Sequence, residues 1–127
     1  MAGHVERRLA ENGDWGTVEY IVLRNGQCPA EEFVNTLELS DKAKLARLFN
    51  RMAMVGRITN EEKFKKESGE IYGFKSFQIR IGCFRVGKAW LLTHGFRKKK
   101  DHWPKSELER ANAIRTEYCE DHPEDNR

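Results

Sequence analysis

The hydrophobic period of this sequence changes once, and that change constrains the fold more than any other feature. Between residues 45 and 55 the apolar side chains recur every three or four positions, as on one buried helix face: Leu45, Leu48, Phe49, Met52 and Val55. From residue 77 the period becomes two, because Phe77, Ile79 and Ile81 alternate with polar residues. Such alternation predicts a half-buried strand. We therefore expect helices packed on a sheet.

Breaker and cap residues predict where the other elements begin and end. The β-branched and aromatic segment 18–23 predicts a strand, and Pro29 is suited to the first position of a helix. Ser40 is a plausible N-cap for a second helix, which Gly56 would end. Pro104 predicts the start of a last helix.

The order of these elements predicts an α+β fold. Residues 59–70 are polar and charged and read as a connecting loop. The chain then runs strand, helix, helix, a meander of about three strands, and helix, which places two helices on one face of a small antiparallel sheet. In this chain of 127 residues we expect a flexible segment at 1–17, one domain at 18–118 and an acidic, frayed tail at 119–127.

The register of the predicted meander depends on two dipeptides that begin with glycine, at 82–83 and 87–88. Both suit type II′ hairpin turns. If both are turns, Arg80 lies opposite Arg85, and Arg85 lies opposite Trp90. Like charges paired across strands cost up to about 1 kcal/mol, so this arrangement would favour a bound polyanion over folding alone.

Composition excludes several classes of protein. No apolar stretch approaches the roughly 20 residues that a membrane span needs, and no signal peptide is evident, so we expect a soluble, cytoplasmic protein without a membrane partner. The three cysteines are isolated from one another, and the four histidines show no ligand spacing. Neither a disulfide framework, a metal site nor a cofactor is predicted.

The basic charge is concentrated in one segment. Residues 72–110 hold 10 Lys and Arg but only 3 Asp and Glu, with aromatic residues between them. This composition is typical of a nucleic-acid surface, although a merely solvated basic face would have it too. Trp90 could stack on an unpaired base, or could simply pack against Arg85. The candidate RNA-binding residues are Lys75, Arg80, Trp90, Lys99, Lys100 and His102.

Cationic residues without a metal could still cleave RNA. The ribose 2′-hydroxyl is an internal nucleophile beside the scissile phosphorus, so a protein need only align it, offset the charge that develops, and move protons. Arginine and lysine can stabilise that charge, and a histidine or a lysine of lowered pKa can transfer protons.

Three segments resemble a known family. They are 25–33, 73–86 and above all 91–111, which contains the run Leu-Leu-Thr-His-Gly-Phe-Arg-Lys-Lys-Lys-Asp-His-Trp-Pro. They resemble the HigB-like, phage-derived branch of the RelE/ParE toxins of type II toxin–antitoxin systems, over about residues 18–118. The resemblance implies a RelE-like fold and a ribosome-dependent mRNA endoribonuclease that enters the ribosomal A site and inhibits translation. It also implies a helix-turn-helix antitoxin partner of the HigA type.

The resemblance also implies roles for individual residues. Arg85 matches the arginine that grips the scissile phosphate, and Arg97 or Lys98 matches a second cation near the leaving group. Trp103 falls at a stacking or proton-handling position, and Arg80 matches a basic strand position.

The general base is not assigned by the resemblance. Ser76 and Gln78 stand where relatives have lysines, which leaves His94, His102 and Lys98 as candidates. Two other functions stay open. One is a ParE-like toxin acting on DNA gyrase, against which the basic face argues. The other is a non-catalytic RNA-binding or phage regulatory module.

Overall fold

The structure is a computed structural model that describes residues 3–98 and 102–125. Its strands are β1 (Glu6–Asn12), β2 (Thr17–Val22), β3 (Phe64–Ser68), β4 (Ile71–Ser76), β5 (Ile79–Val86) and β6 (Ala89–Arg97). Its helices are α1 (Pro29–Asn35), α2 (Leu39–Val55) and α3 (Lys105–Asp121), followed by a short 3₁₀ turn at Pro123–Asp125.

All six strands belong to one sheet, in the order β1-β2-β6-β5-β4-β3. Every neighbouring pair is antiparallel except β2 and β6, which run parallel. The sheet is therefore mixed, whereas the sequence predicted a purely antiparallel one. The reason is that α1, α2 and the three outer strands all intervene before β6 returns beside β2.

The helices cover both faces of the sheet. Under α1 and α2, which define the helix-pair face, the core includes Leu45, Phe49, Met52, Ile81 and Leu92. Under α3, which defines the α3 face, it includes Phe84, Leu91, Ala111, Ile114 and Tyr118. The predicted α+β class, with two N-terminal helices on one face and a C-terminal helix, is confirmed and is consistent with a RelE-like fold.

The predicted helix boundaries agree with the structure at three positions. Pro29 begins α1, and Pro104 directly precedes α3. Gly56 ends α2 with a φ of 85°, a left-handed conformation that glycine adopts without steric cost. The N-cap of α2 is Glu38 rather than Ser40. Among the described residues, none of the helices is long and apolar enough to cross a membrane.

Two segments predicted to lack regular structure are strands. Residues 6–12 form the edge strand β1, and Phe64–Ser68 within the expected loop form β3. Both are edge strands of largely exposed residues, so their order comes from main-chain pairing with β2 and β4 and leaves little apolar pattern to read.

The predicted frayed tail is also ordered as far as residue 125. Helix α3 continues to Asp121, whose carboxylate accepts a hydrogen bond from the Val5 main-chain N–H at 2.8 Å and one from Arg24 at 2.7 Å. The Tyr118 hydroxyl donates to Asp125 at 2.6 Å. The contacts of Asp121 join α3 to the segment before β1 and to the segment after β2.

The hairpin expected at residues 82–83 does not exist, because both residues lie inside β5. The turn is instead at residues 77–78, where Phe77 has a φ of 55°. The second predicted hairpin, at 87–88, is confirmed by the pairing of Arg85 with Trp90. Arg80 is consequently paired with Lys75, and not with Arg85.

Candidate nucleic-acid interface

A basic cluster lies on the α3 face, beside the turn at 77–78. Arg80 is flanked by Lys75 on β4 and by Phe96 on β6, its two cross-strand neighbours. Within residues 3–98 and 102–125, neither Lys75 nor Arg80 forms a salt bridge. The Lys75 Nζ donates to the main-chain carbonyl of Glu61 at 2.9 Å, so in the described part of the chain neither cation of this cross-strand pair is neutralised by a carboxylate, and both would attract an anion.

The Arg80 side chain is half-buried and held by main-chain carbonyls. Its Nη1 donates to the carbonyl of Phe77 at 2.6 Å and to that of Ile79 at 2.9 Å, while the buried Nε has no acceptor. Burial lowers the pKa of Arg80, and Glu67 partly opposes that shift. Because arginine stays protonated in proteins, the result is an ordered cation with hydrogen-bonding capacity to spare.

Trp103 packs on two glycines of the neighbouring strands. A Cβ at Gly73 would lie 2.7 Å from Trp103 Cζ2, and one at Gly82 would lie 3.2 Å from Cη2. The ring also meets Phe96 edge to face, at 4.7 Å between centroids. Trp103 is only 6% exposed and its Nε1 has no acceptor, so it forms part of the core beside Arg80 and offers little surface for stacking.

His94 is fully buried between the sheet and α3. Its Nε2 lies 3.1 Å from Glu107 Oε1, and its Nδ1 lies 3.2 Å from Thr93 Oγ1. Burial and then the positive charge of Arg110 lower the pKa of His94, against the opposing effect of Glu107. A ring so enclosed cannot touch RNA at the surface, so the structure does not support the expectation of a catalytic His94.

The remaining candidates near the end of β6 do not all lie on the same face of the sheet. Lys98 lies beside the 77–78 turn, because its main-chain N–H donates to the Gln78 carbonyl at 2.7 Å; its side chain is largely buried. Arg97 is exposed and pairs with Ile79, whose side chain enters the core of the helix-pair face. His102 is exposed. The predicted RNA-binding residues Lys99 and Lys100 lie outside the described residues.

Arg85 occupies the other face and the other end of the sheet. It pairs with Trp90 beside the 87–88 turn, six residues along β5 from the position of Ile79 and Arg97. At about 3.3 Å per residue this separation is about 20 Å, so the structure does not bring Arg85 and Arg97 to one phosphate. Trp90 is 5% exposed, which corrects the expectation of an open stacking platform.

Two structural features were missed in the sequence. Gly73 and Gly82 are directly opposite each other on β4 and β5 and leave the space that Trp103 fills. Glycine inside a strand is a signal of such close approach, whereas the pattern around Gly82 predicts a turn. The second is Arg57, which lies near Arg85 at the edge of a cleft; no pattern in the sequence pointed to it.

The comparisons with known proteins identify the family. Residues 32–116, more than half of the chain, match the sequence profile of the family described as phage derived protein Gp49-like (DUF891). The matched region runs from α1 into α3 and includes Arg80, Arg85, His94 and Trp103. A search of curated proteins finds no match. The chain therefore belongs to the Gp49-like family of phage-derived proteins, which are toxin-like proteins of type II toxin–antitoxin systems related to RelE.

Proposed function

We propose that this protein is a HigB-like toxin that cleaves mRNA on the translating ribosome. The family supports a toxin-like role and, in general, an antitoxin partner. The observation that carries the nuclease proposal is the adjacent pair Lys75 and Arg80, which is basic, partly shielded from water and without a salt bridge in the described part of the chain. Such a pair suits a phosphate whose negative charge grows during reaction.

The chemistry needs no group beyond the substrate and the protein. The 2′-oxygen bonds to phosphorus while the bond from phosphorus to the 5′-oxygen breaks, which leaves a 2′,3′-cyclic phosphate and a 5′-hydroxyl. Arg80 would stabilise the charge on the phosphorane, with Lys98 nearby as the second cation. A base must take the 2′-hydroxyl proton, and an acid must protonate the 5′-oxygen. His102, the exposed imidazole among the expected candidates, can serve in either role.

The ribosome would supply what this face does not. The ordered charge of the Arg80 cluster can stabilise a phosphorane, but charge alone does not align a ribose and a phosphate. In-line alignment contributes much of the rate in such a reaction. Binding of the codon in the ribosomal A site would provide that alignment, and the toxin would then act in the cytoplasm. A HigA-like helix-turn-helix antitoxin would block the same face.

The test is mapping of transcript 5′ ends after brief induction in bacteria, with and without a translation inhibitor that empties ribosomes of mRNA. We expect cuts within coding frames that disappear without translation. Arg80→Gln should abolish them, whereas Arg51→Gln, the same change of charge on an exposed site of α2, should not. Growth inhibition without cuts would favour gyrase or another target. The absence of both cuts and growth inhibition would favour a binding module.

A further inference from the structure

The turn between β4 and β5 carries an exposed aromatic side chain. Phe77 is 75% exposed, whereas Phe74 and Phe84 on the strands that flank the turn are buried. The alternation of residues 77–81 predicted an inward-facing Phe77, and the turn reverses that expectation. A single exposed apolar residue is common by itself. This one is unusual because of the main chain that carries it.

The main chain at Phe77 is strained. Its φ of 55° lies in the left-handed region, where the Cβ of an L-residue crowds the following carbonyl and which glycine enters without that cost. Of the residues other than glycine in the ranges 3–98 and 102–125, Phe77 alone has a positive φ. Strained conformations are concentrated at binding and catalytic sites. A phenyl ring at a position that favours glycine therefore indicates a role for the ring itself.

The strained residue also holds Arg80. The Arg80 Nη1 donates to the Phe77 carbonyl at 2.6 Å, so the conformation of the turn helps to fix the guanidinium. Phe77 thus supplies an acceptor for Arg80 through its carbonyl and an open ring through its side chain. Any molecule that reaches the Arg80 guanidinium beside the turn would meet an exposed aromatic surface there.

Cations from α2 and from the end of β6 also surround this turn. The Lys44 Nζ lies 4.3 Å from the centre of the Phe77 ring. The Lys98 main-chain N–H donates to the second carbonyl of the turn at 2.7 Å, and Arg97 before it is exposed. In the part of the chain that the structure describes, neither Lys44 nor Arg97 forms a salt bridge. The charge at the turn therefore favours an anionic partner.

An open ring among cations suits single-stranded RNA. Its unpaired bases are free to stack on aromatic side chains, and its phosphates follow one another along the strand. An acidic protein segment would use the cations but has no need of a ring. Since the ring belongs to the residue that positions Arg80, the observations favour the RNA.

We propose that Phe77 stacks on an unpaired base of the RNA, next to the phosphate that Arg80 binds. This inference rests on the proposed function, which supplies the RNA. It makes Phe77 a positioning residue, because the stack would hold the strand while the cations bind its phosphates. The strain at the turn would then be the consequence of presenting a ring where the local conformation favours glycine.

The experiment measures the affinity of the purified full chain for a short, fluorescent oligoadenylate by anisotropy, without ribosomes. The 2′-hydroxyls of the probe are methylated so that it cannot be cleaved. Phe77→Leu keeps an apolar side chain but removes the ring, and it should weaken the affinity at least about fivefold, the effect of one lost stack. Phe77→Trp should bind at least as tightly as the native chain. Leu9→Ala is the control, since Leu9 is an exposed apolar residue on β1, at the other edge of the sheet.

Two further measurements separate stacking from charge and from stability. Phe77→Leu should leave the dependence of affinity on salt unchanged, whereas Arg80→Gln should make that dependence shallower, because only the second loses a phosphate contact. Phe77→Gly should weaken RNA binding as Phe77→Leu does. It should nevertheless resist urea at least as well as the native chain, because glycine removes the strain at the turn.

Three results would overturn the proposal. Native affinity in Phe77→Leu would point to a protein partner for the exposed ring, and equal losses in Phe77→Leu and Phe77→Trp would show that aromatic character is not what matters. The third is no binding of the probe by the native chain at low salt. Failure of the proposed function is distinguishable from these. If transcript mapping finds no cuts while RNA binding still depends on Phe77, the nuclease is rejected and the stacking stands.

Discussion

Arg80 and Arg85 project from opposite faces of the same strand, five residues apart on β5. Arg80 is flanked by Lys75 and Phe96 on the face that α3 partly covers, whereas Arg85 is paired with Trp90 on the face of α1 and α2. Since side chains alternate along a strand, an odd separation always produces this division. The two arginines therefore belong to different sites and should have different functions.

Replacement of Arg80 should impair cleavage more than replacement of Arg85. We expect Arg80→Gln to slow ribosome-dependent cutting by about 10²-fold or more, because it removes an ordered cation from the reacting phosphate. Arg85→Gln should leave the rate at saturating ribosomes nearly unchanged, because Arg85 lies on the opposite face of the sheet. Primer extension on a defined message in a reconstituted translation system would measure both rates. The reverse order of effects would contradict the assignment of Arg80 to the scissile phosphate.

Gly73→Ala should destabilise the protein through Trp103. The new methyl would lie 2.7 Å from Trp103 Cζ2, and overpacking of this kind typically costs about 1–3 kcal/mol in the free energy of unfolding. Urea denaturation would measure that loss. In a Trp103→Leu background the same substitution should cost much less, because the clashing ring is gone. An equal cost in both backgrounds would show that the Gly73 main chain, and not Trp103, is responsible.

His94 should make the fold sensitive to mild acid. Burial and Arg110 lower its pKa below the usual 6.5, so below that pH the unfolded chain binds a proton that the folded chain resists. Stability should then fall as the pH drops from about 6.5, by at most about 1.4 kcal/mol per pH unit for this one group. Urea titrations between pH 5 and pH 8 would show it. His94→Gln should lose this slope, and the exposed-site control His102→Gln should keep it.

Asp121 should hold the N-terminal strand in place above acid pH. Hydrogen bonds from Arg24 and from the Val5 main chain lower its pKa to about 2. A lowered carboxyl pKa gives a stabilising contribution that is complete above the ordinary value of 3.8 and is lost as the pH falls toward 2. Asp121→Asn should therefore speed hydrogen exchange at the Val5 amide at neutral pH. It should also flatten the acid part of the thermal stability profile.

If the thermal stability of Asp121→Asn still falls at acid pH as that of the native chain does, other carboxylates are responsible for the fall. Glu19 is the natural comparison, since its pKa is lowered against the effect of burial by hydrogen bonds from Arg7 and Thr17. Glu19→Gln should leave exchange at Val5 unchanged, because Glu19 makes no described contact with Val5.

Local patterns in the sequence were sufficient for the helices and for the fold class. Proline at the start of α1, glycine at the end of α2 and the apolar spacing of residues 45–55 act within one or two turns of chain. The same holds for the 87–88 turn. Each of these signals depends on main-chain conformations that a few residues determine by themselves.

The position of the other turn depended on the tertiary structure. Glycine at residue 82 suggested a hairpin, yet there it makes room for Thr93 and Trp103, which lie 11 and 21 positions later in the chain. The actual turn contains Phe77 in a left-handed conformation unusual for a bulky residue, with Lys44 of α2 lying 4.3 Å from its ring centre. The pairing of β4, β5 and β6 with one another outweighed the local preference of glycine for a turn.

The sequence by itself determined that this chain folds as helices on a sheet, that its basic charge is concentrated in residues 72–110, and which family it resembles. Only the tertiary structure decided which cations act together. The charge of a segment is the same in every strand register. A shift of the register by one residue, however, moves each side chain to the opposite face of the sheet. A turn displaced from 82–83 to 77–78 therefore moved Arg80 beside Lys75, left Arg85 beside Trp90 on the opposite face, and separated two arginines that were expected to act together.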